Sequence, residues 1–158
     1  MHIGDVFPIQ RLSSGDKPLA LDASKYTVLY FYPEDDTPGC TVEANEFQQL
    51  KGEFAGAGTR IVGVSVDEAG SHRAFCDKFG LTFDLATDHG GNLGAEMDIM
   101  KGSVHRRVTY VVDASGKVVL EYSAVKAAGH ARQILDDLAS LAALPQGDVK
   151  YGRAATRR

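Results

Sequence analysis

No apolar run in this 158-residue chain approaches the roughly 20 residues that a membrane-spanning helix needs. Charge of one sign is not in excess either. With 17 Lys and Arg against 21 Asp and Glu, the formal net charge of −4 gives no case for binding nucleic acid or an anionic membrane. Residues 1–16 contain no basic stretch followed by an apolar one. No secretory signal is expected, and the cytoplasm is the expected compartment. Cysteine is scarce: only Cys40 and Cys76 occur. Cytosolic thiols are kept reduced, so two cysteines there are more often catalytic or redox-sensing than structural. The chain has no CxxC, which argues against a dithiol oxidoreductase. Gly90–Gly91 has no GxGxxG or Walker-type spacing around it and reads as a turn. His72 and Cys76 stand four residues apart, but two ligands do not make a metal site and no HExxH accompanies them. No metal or other cofactor is expected.

What is present is an ordinary globular composition, 44% hydrophobic and 24% charged. A chain of this length buries about 70% of its unfolded surface, enough for a core without staples. Residues 1–145 read as one domain, and residues 146–158, with Lys150, Arg153, Arg157 and Arg158, as a basic, flexible tail. Val6–Phe7 and Leu19–Leu21 are expected short strands around a turn at Ser13–Pro18. Tyr26–Tyr32 (YTVLYFY) is a continuous run of β-formers, expected to be a strand buried on both faces and ended by Pro33. Cys40, Ala44, Phe47, Leu50 and Phe54 recur at helical spacing, predicting one helix over 38–56, with Thr37 as cap and Pro38 in its first position. Further strands are expected at Thr59–Val66 and Thr82–Ala86, around a helix from Ser71, as cap, to Phe79. A hairpin, Arg107–Asp113 with Lys117–Tyr122, and a final helix, His130–Leu144, complete the order. A βαβ unit followed by a ββα unit predicts an α/β, thioredoxin-like fold with a central mixed sheet flanked by helices.

The segment Pro33-Glu-Asp-Asp-Thr37-Pro-Gly-Cys40-Thr41 places a cysteine in the first turn of a helix, just beyond a buried strand. Unpaired N–H groups and the helix dipole favour an anion there, and the thiolate is the reactive form of cysteine. Position and spacing alone are equally compatible with an inert, buried thiol. Arg107 opens an apolar strand, where a permanent charge calls for an anionic partner. It also fits an exposed basic turn, His105-Arg106-Arg107. His72 reads as an exposed first-turn residue, and His2, His89, His105 and His130 as loop or helix-start residues. Cys76 fits a buried helix thiol beside Phe75 and Phe79. Phe47, Phe79 and Tyr110 are candidates for lining an apolar approach to the thiol.

Pro33-xxx-Thr37-xx-Cys40 resembles the active-site motif of the peroxiredoxins. The longer string FYPEDDTPGCTVEANEF resembles their bacterioferritin comigratory protein (PrxQ) branch, as do SHRAFCDKFGLTFDLATD, RVTYVVDASGKV and VKAAGHARQIL in the same order. The resemblance covers roughly residues 3–142. It implies a thiol peroxidase with Cys40 as the peroxidatic cysteine, Thr37 positioning the peroxide and Pro33 shielding the thiolate. It further implies Arg107 as the active-site arginine, oriented by Glu43. Many members of the branch carry a second cysteine five residues after the first, where this chain has Asn45. A subset carries it in the next helix, which implies that Cys76 resolves oxidised Cys40 through an intramolecular disulfide. Local unfolding of one or both helix ends is then expected during turnover. The implied partners are a hydroperoxide and a dithiol reductant such as thioredoxin, and the implied state is a monomer.

Overall fold

The computed structural model describes residues 1–142. Its elements run β1 (Ser13–Ser14), β2 (Lys17–Pro18), β3 (Tyr26–Phe31), α1 (Pro38–Gln49), α2 (Lys51–Gly56), β4 (Thr59–Ser65), α3 (Ala69–Phe79) and β5 (Asp84–Thr87). There follow α4 (Asn92–Glu96), β6 (Met100–Lys101), β7 (Val104–His105), β8 (Val108–Asp113), β9 (Val118–Tyr122) and α5 (His130–Ala142). Seven strands form one sheet in the order β2-β1-β5-β4-β3-β8-β9. β3 lies parallel to β4 and antiparallel to β8, so the sheet is mixed, as expected.

All six residues of β3 are buried because the strand is central and both of its faces are covered. Tyr26, Val28 and Tyr30 point into a cluster with Ala44, Phe47 and Phe54 of α1 and α2 and with Ile134, Leu138 and Leu141 of α5. Leu29 and Phe31 point into a second cluster with Phe7, Leu12, Leu93 and Tyr110. The period of two in β3 thus joins two cores, and the end of this rigid strand delivers the chain to Cys40.

Several local expectations are corrected. The helix predicted over 38–56 divides at Leu50, which leaves helical geometry at φ −97° and ψ 5°. Phe54, on α2, is buried all the same, its ring centroid 5.7 Å from that of Phe47. Strands occupy the Ser13–Pro18 segment itself, folded about Gly15 at φ +65°, whereas Val6 makes one bridge to Lys117. Two-residue polar strands show no alternation, which is why the sequence conceals them. The same shortness hid α4 and the β6–β7 hairpin. The first strand of the β8–β9 hairpin starts at Val108, leaving Arg107 just ahead of it. Ser71 lies inside α3, whose N-cap is Glu68. The predicted tail and the end of the last helix lie outside the described residues.

Candidate active site

Thr37 has extended backbone geometry, and Pro38 follows at the first helical position with its φ already suited to a helix. Cys40 comes two residues later, within the first turn, where unsatisfied N–H groups gather. Its side chain is 1% exposed and packs with Tyr30, Tyr32 and Ala44. Arg107 reaches this point from ahead of β8. Its Nη2 donates to Cys40 Sγ at 3.4 Å, and its Nη1 donates to Glu43 Oε1 at 2.8 Å. One guanidinium therefore bridges the sulfur and a carboxyl one turn further along α1. A helix start and a fixed cation thus both face the sulfur.

Glu43 is 1% exposed, and its Oε2 has no hydrogen-bond partner among the described residues. Burial pushes its carboxyl up to about 8, against the downward pull of Arg107. Removal from water outweighs the single cation, which Glu43 shares with Cys40. Gly39 is a residue of this arrangement that the sequence reading missed. A Cβ there would lie 2.6 Å from Arg107 Nη2, so the missing side chain opens the path of the guanidinium across the helix start. The available signal was a poor helix former in a first turn.

The Thr37 hydroxyl donates to the Glu34 carbonyl at 2.8 Å and makes no capping bond to the helix. Its proton is committed, and its lone pairs remain free to accept. Pro33 ends the path from β3 and, with Arg107, borders an open groove of about 870 Å³ whose walls include Val104, Arg106, Val125 and Lys126. Phe47 and Tyr110 do not line an approach: they are buried in the two separate cores. The structure thus gathers Cys40, Glu43, Arg107 and, at the groove, Pro33. Cys76, on α3, is a free, half-buried thiol packed against the same apolar core as Cys40. Burial raises the Cys76 thiol above its ordinary range, helped by Asp35, Asp77 and Asp84.

The reading of His72 and His105 is also corrected, while His130 opens α5 as expected but is buried there. His72 is buried, with Nδ1 at 2.8 Å from Asp35 Oδ2 and Nε2 at 3.0 Å from the Ala86 carbonyl. His105 is buried against Asp88 at 2.8 Å, and His130 against Thr109 at 2.8 Å. Their partners lie far off in sequence, so no local signal announced them. Among the described residues no cluster of three or more His, Cys, Asp or Glu side chains could hold a metal, and no helix is long and apolar enough to cross a membrane.

A buried thiol at a helix start, bridged to a carboxyl by arginine on a thioredoxin-like sheet, defines a thiol peroxidase of the peroxiredoxin class. The chain belongs to the AhpC/TSA family, whose model matches residues 7–121. It is similar to peroxiredoxin Bcp of Xanthomonas campestris pv. campestris, 39% identical over 133 residues that cover 78% of this chain and 83% of that one. Chloroplastic peroxiredoxin Q of Sedum lineare is 39% identical over 112 residues, 68% of this chain but only 60% of the longer relative. Among solved structures, a mutant of PrxQ from Xylella fastidiosa matches with a TM-score of 0.80 at 33% identity, covering 90% of this chain and 98% of that one. The X. campestris bacterioferritin comigratory protein, a structure concerned with alkyl peroxide reduction, matches with a TM-score of 0.77 at 34% identity, over 89% and 97% of the two chains.

Proposed function

We propose that Cys40 attacks hydroperoxides as a thiolate, that Cys76 resolves the product, and that thioredoxin or a similar dithiol restores both thiols. The observation that carries this reading is Arg107 donating at once to Cys40 Sγ and to Glu43. In the first step the sulfur lone pair attacks one peroxide oxygen and the O–O bond breaks. The departing oxygen takes a proton and leaves as water or an alcohol, and Cys40 is left as a sulfenic acid. Arg107 is placed to stabilise charge as it shifts from sulfur to oxygen. The Thr37 oxygen accepts from the O–H of the substrate, and Pro33 limits the access of water.

In the second step the Cys76 sulfur attacks the Cys40 sulfur. The S–O bond breaks, the S–S bond forms, and hydroxide leaves as water with the Cys76 proton. The raised Cys76 thiol is a poor nucleophile in place, which favours resolution after the end of α3 has opened. The valines of the groove and its Arg106 and Lys126 rim suit an organic hydroperoxide as well as hydrogen peroxide. The reading assigns a cytoplasmic monomer built on one domain, residues 1–145. A coupled assay with thioredoxin and thioredoxin reductase tests the cycle. Cys40→Ser is expected to abolish turnover. Cys76→Ser is expected to keep a single oxidation of Cys40 but lose the disulfide in intact-mass spectra. Full activity in Cys40→Ser overturns the proposal.

A further inference from the structure

Asp35 lies in the loop that runs from β3 to Cys40, and its buried carboxylate is the hub of a polar network. Oδ1 accepts from the Tyr32 hydroxyl at 2.6 Å, and Oδ2 accepts from the Ser71 hydroxyl at 2.8 Å and from His72 Nδ1 at 2.8 Å. The Asp35 backbone N–H donates to Asp67 Oδ2 at 2.8 Å. Burial alone would raise the Asp35 carboxyl, but the bonds from His72 and Tyr32 bring it below its ordinary range, so it is a carboxylate. The other His72 nitrogen faces the Ala86 carbonyl, which can only accept. Both ring nitrogens are thus held by acceptors, and the imidazole is fixed against a buried carboxylate. Next along the loop, Asp36 has a left-handed φ of 58° and pairs with Lys78 at 2.9 Å.

These bonds have a common geometry. Ser71, His72 and Lys78 all belong to α3, and they bracket Cys76 on both sides. Asp35 and Asp36 belong to the loop that ends at Cys40. Cys40 is 1% exposed beneath Arg107, so a second thiol reaches its sulfur only after this closed frame opens. We infer that Asp35, Ser71 and His72 form a latch that holds the Cys76 helix on the peroxidatic loop and sets the rate of disulfide formation. The inference rests on the reading of Cys76 as the resolving thiol. Closed, the latch keeps the site assembled for peroxide. Open, it frees α3 for the attack of Cys76 on the Cys40 sulfenic acid. Ser71 and His72 are positioning residues and touch neither sulfur nor substrate. The Asp36–Lys78 pair is exposed and contributes less.

The latch predicts that the two chemical steps separate. Ser71→Ala and His72→Gln each weaken the hold on Asp35, while Tyr32 and Asp67 still anchor the loop. Reduced protein is mixed with one equivalent of hydrogen peroxide, quenched with maleimide at set times and weighed intact. Loss of the Cys40 thiol is expected to stay within twofold of wild type in both variants. Disulfide formation is expected to be at least threefold faster, and the sulfinic product formed at high peroxide to fall correspondingly. Ser71→Ala removes a single hydroxyl, so it remains informative if His72→Gln folds poorly. Equal slowing of both steps identifies a purely structural role and overturns the latch. A Cys40–Cys76 bond forming at the wild-type rate in both variants overturns the latch alone. A wild-type protein that forms no such bond overturns the resolving role and the latch together.

Discussion

Replacing Arg107 by Gln removes the one cation that, among the described residues, touches the Cys40 sulfur. In the structure its guanidinium donates to Cys40 Sγ at 3.4 Å and to Glu43 Oε1 at 2.8 Å. A hydrogen bond to a charged group contributes about 1.5–3 kcal/mol. Only the bond to the reacting centre counts toward the barrier. At about 1.4 kcal/mol per factor of ten, its loss slows the oxidation of Cys40 by roughly 10- to 100-fold. Arg107→Lys keeps the charge but loses the planar fork that spans sulfur and carboxyl, so its rate should fall between the two. The chain contains no tryptophan, so oxidation is best followed by rapid quenching and intact mass. Measuring it in a Cys76→Ser background isolates the first step from disulfide formation. An Arg107→Gln rate within threefold of wild type would refute the assignment of Arg107 to the transition state.

Gly39→Ala tests the same guanidinium from the opposite side. The new methyl would stand 2.6 Å from Nη2, the far end of a flexible side chain, so the arginine swings away. Stability should change by less than about 1 kcal/mol, since alanine suits a helix, while Cys40 oxidation slows about tenfold. Equal rates in denaturant-matched protein would show that the guanidinium position is unimportant. His130 gives a pH test of the core: burial pushes it down to about 4 from its ordinary 6.5. Between those values the unfolded chain binds a proton that the folded chain refuses, so stability falls as pH drops from about 6.5 to about 4. The full loss is about 3 kcal/mol at about 1.4 kcal/mol per pH unit. Glu43, raised to about 8, acts in the opposite sense but equally in both proteins, so urea unfolding at pH 7 and 4.5 should show the loss as a difference between wild type and His130→Asn; parallel changes would contradict it.

The elements around Cys40 were legible because their signals are local. Six consecutive β-formers made β3, Pro38 started α1 and Gly80 at φ +65° ended α3, each through neighbours in the chain. The break at Leu50 was not legible, because the apolar stripe runs on through Leu50 to Phe54. Residue type misled most for histidine. His72 looks like a solvent-facing helix residue until Asp35, 37 positions earlier, is folded against it.

The sequence by itself determined where a thiol meets a helix start, since a buried strand, a proline and a cysteine lie within fifteen residues of one another. It also carried, in Pro33, Thr37 and Cys40, the spacing that resembles a peroxidatic motif. Only the tertiary structure decided what surrounds that thiol. Arg107 stands 67 residues away and enters the site because β8 lies antiparallel beside β3. Whether such a charge faces water or sulfur depends on distance and burial, and these exist only once the sheet has closed. The burial of His72 against Asp35 is of the same kind: it ties α3 to the loop ahead of Cys40 through contacts that no stretch of sequence contains.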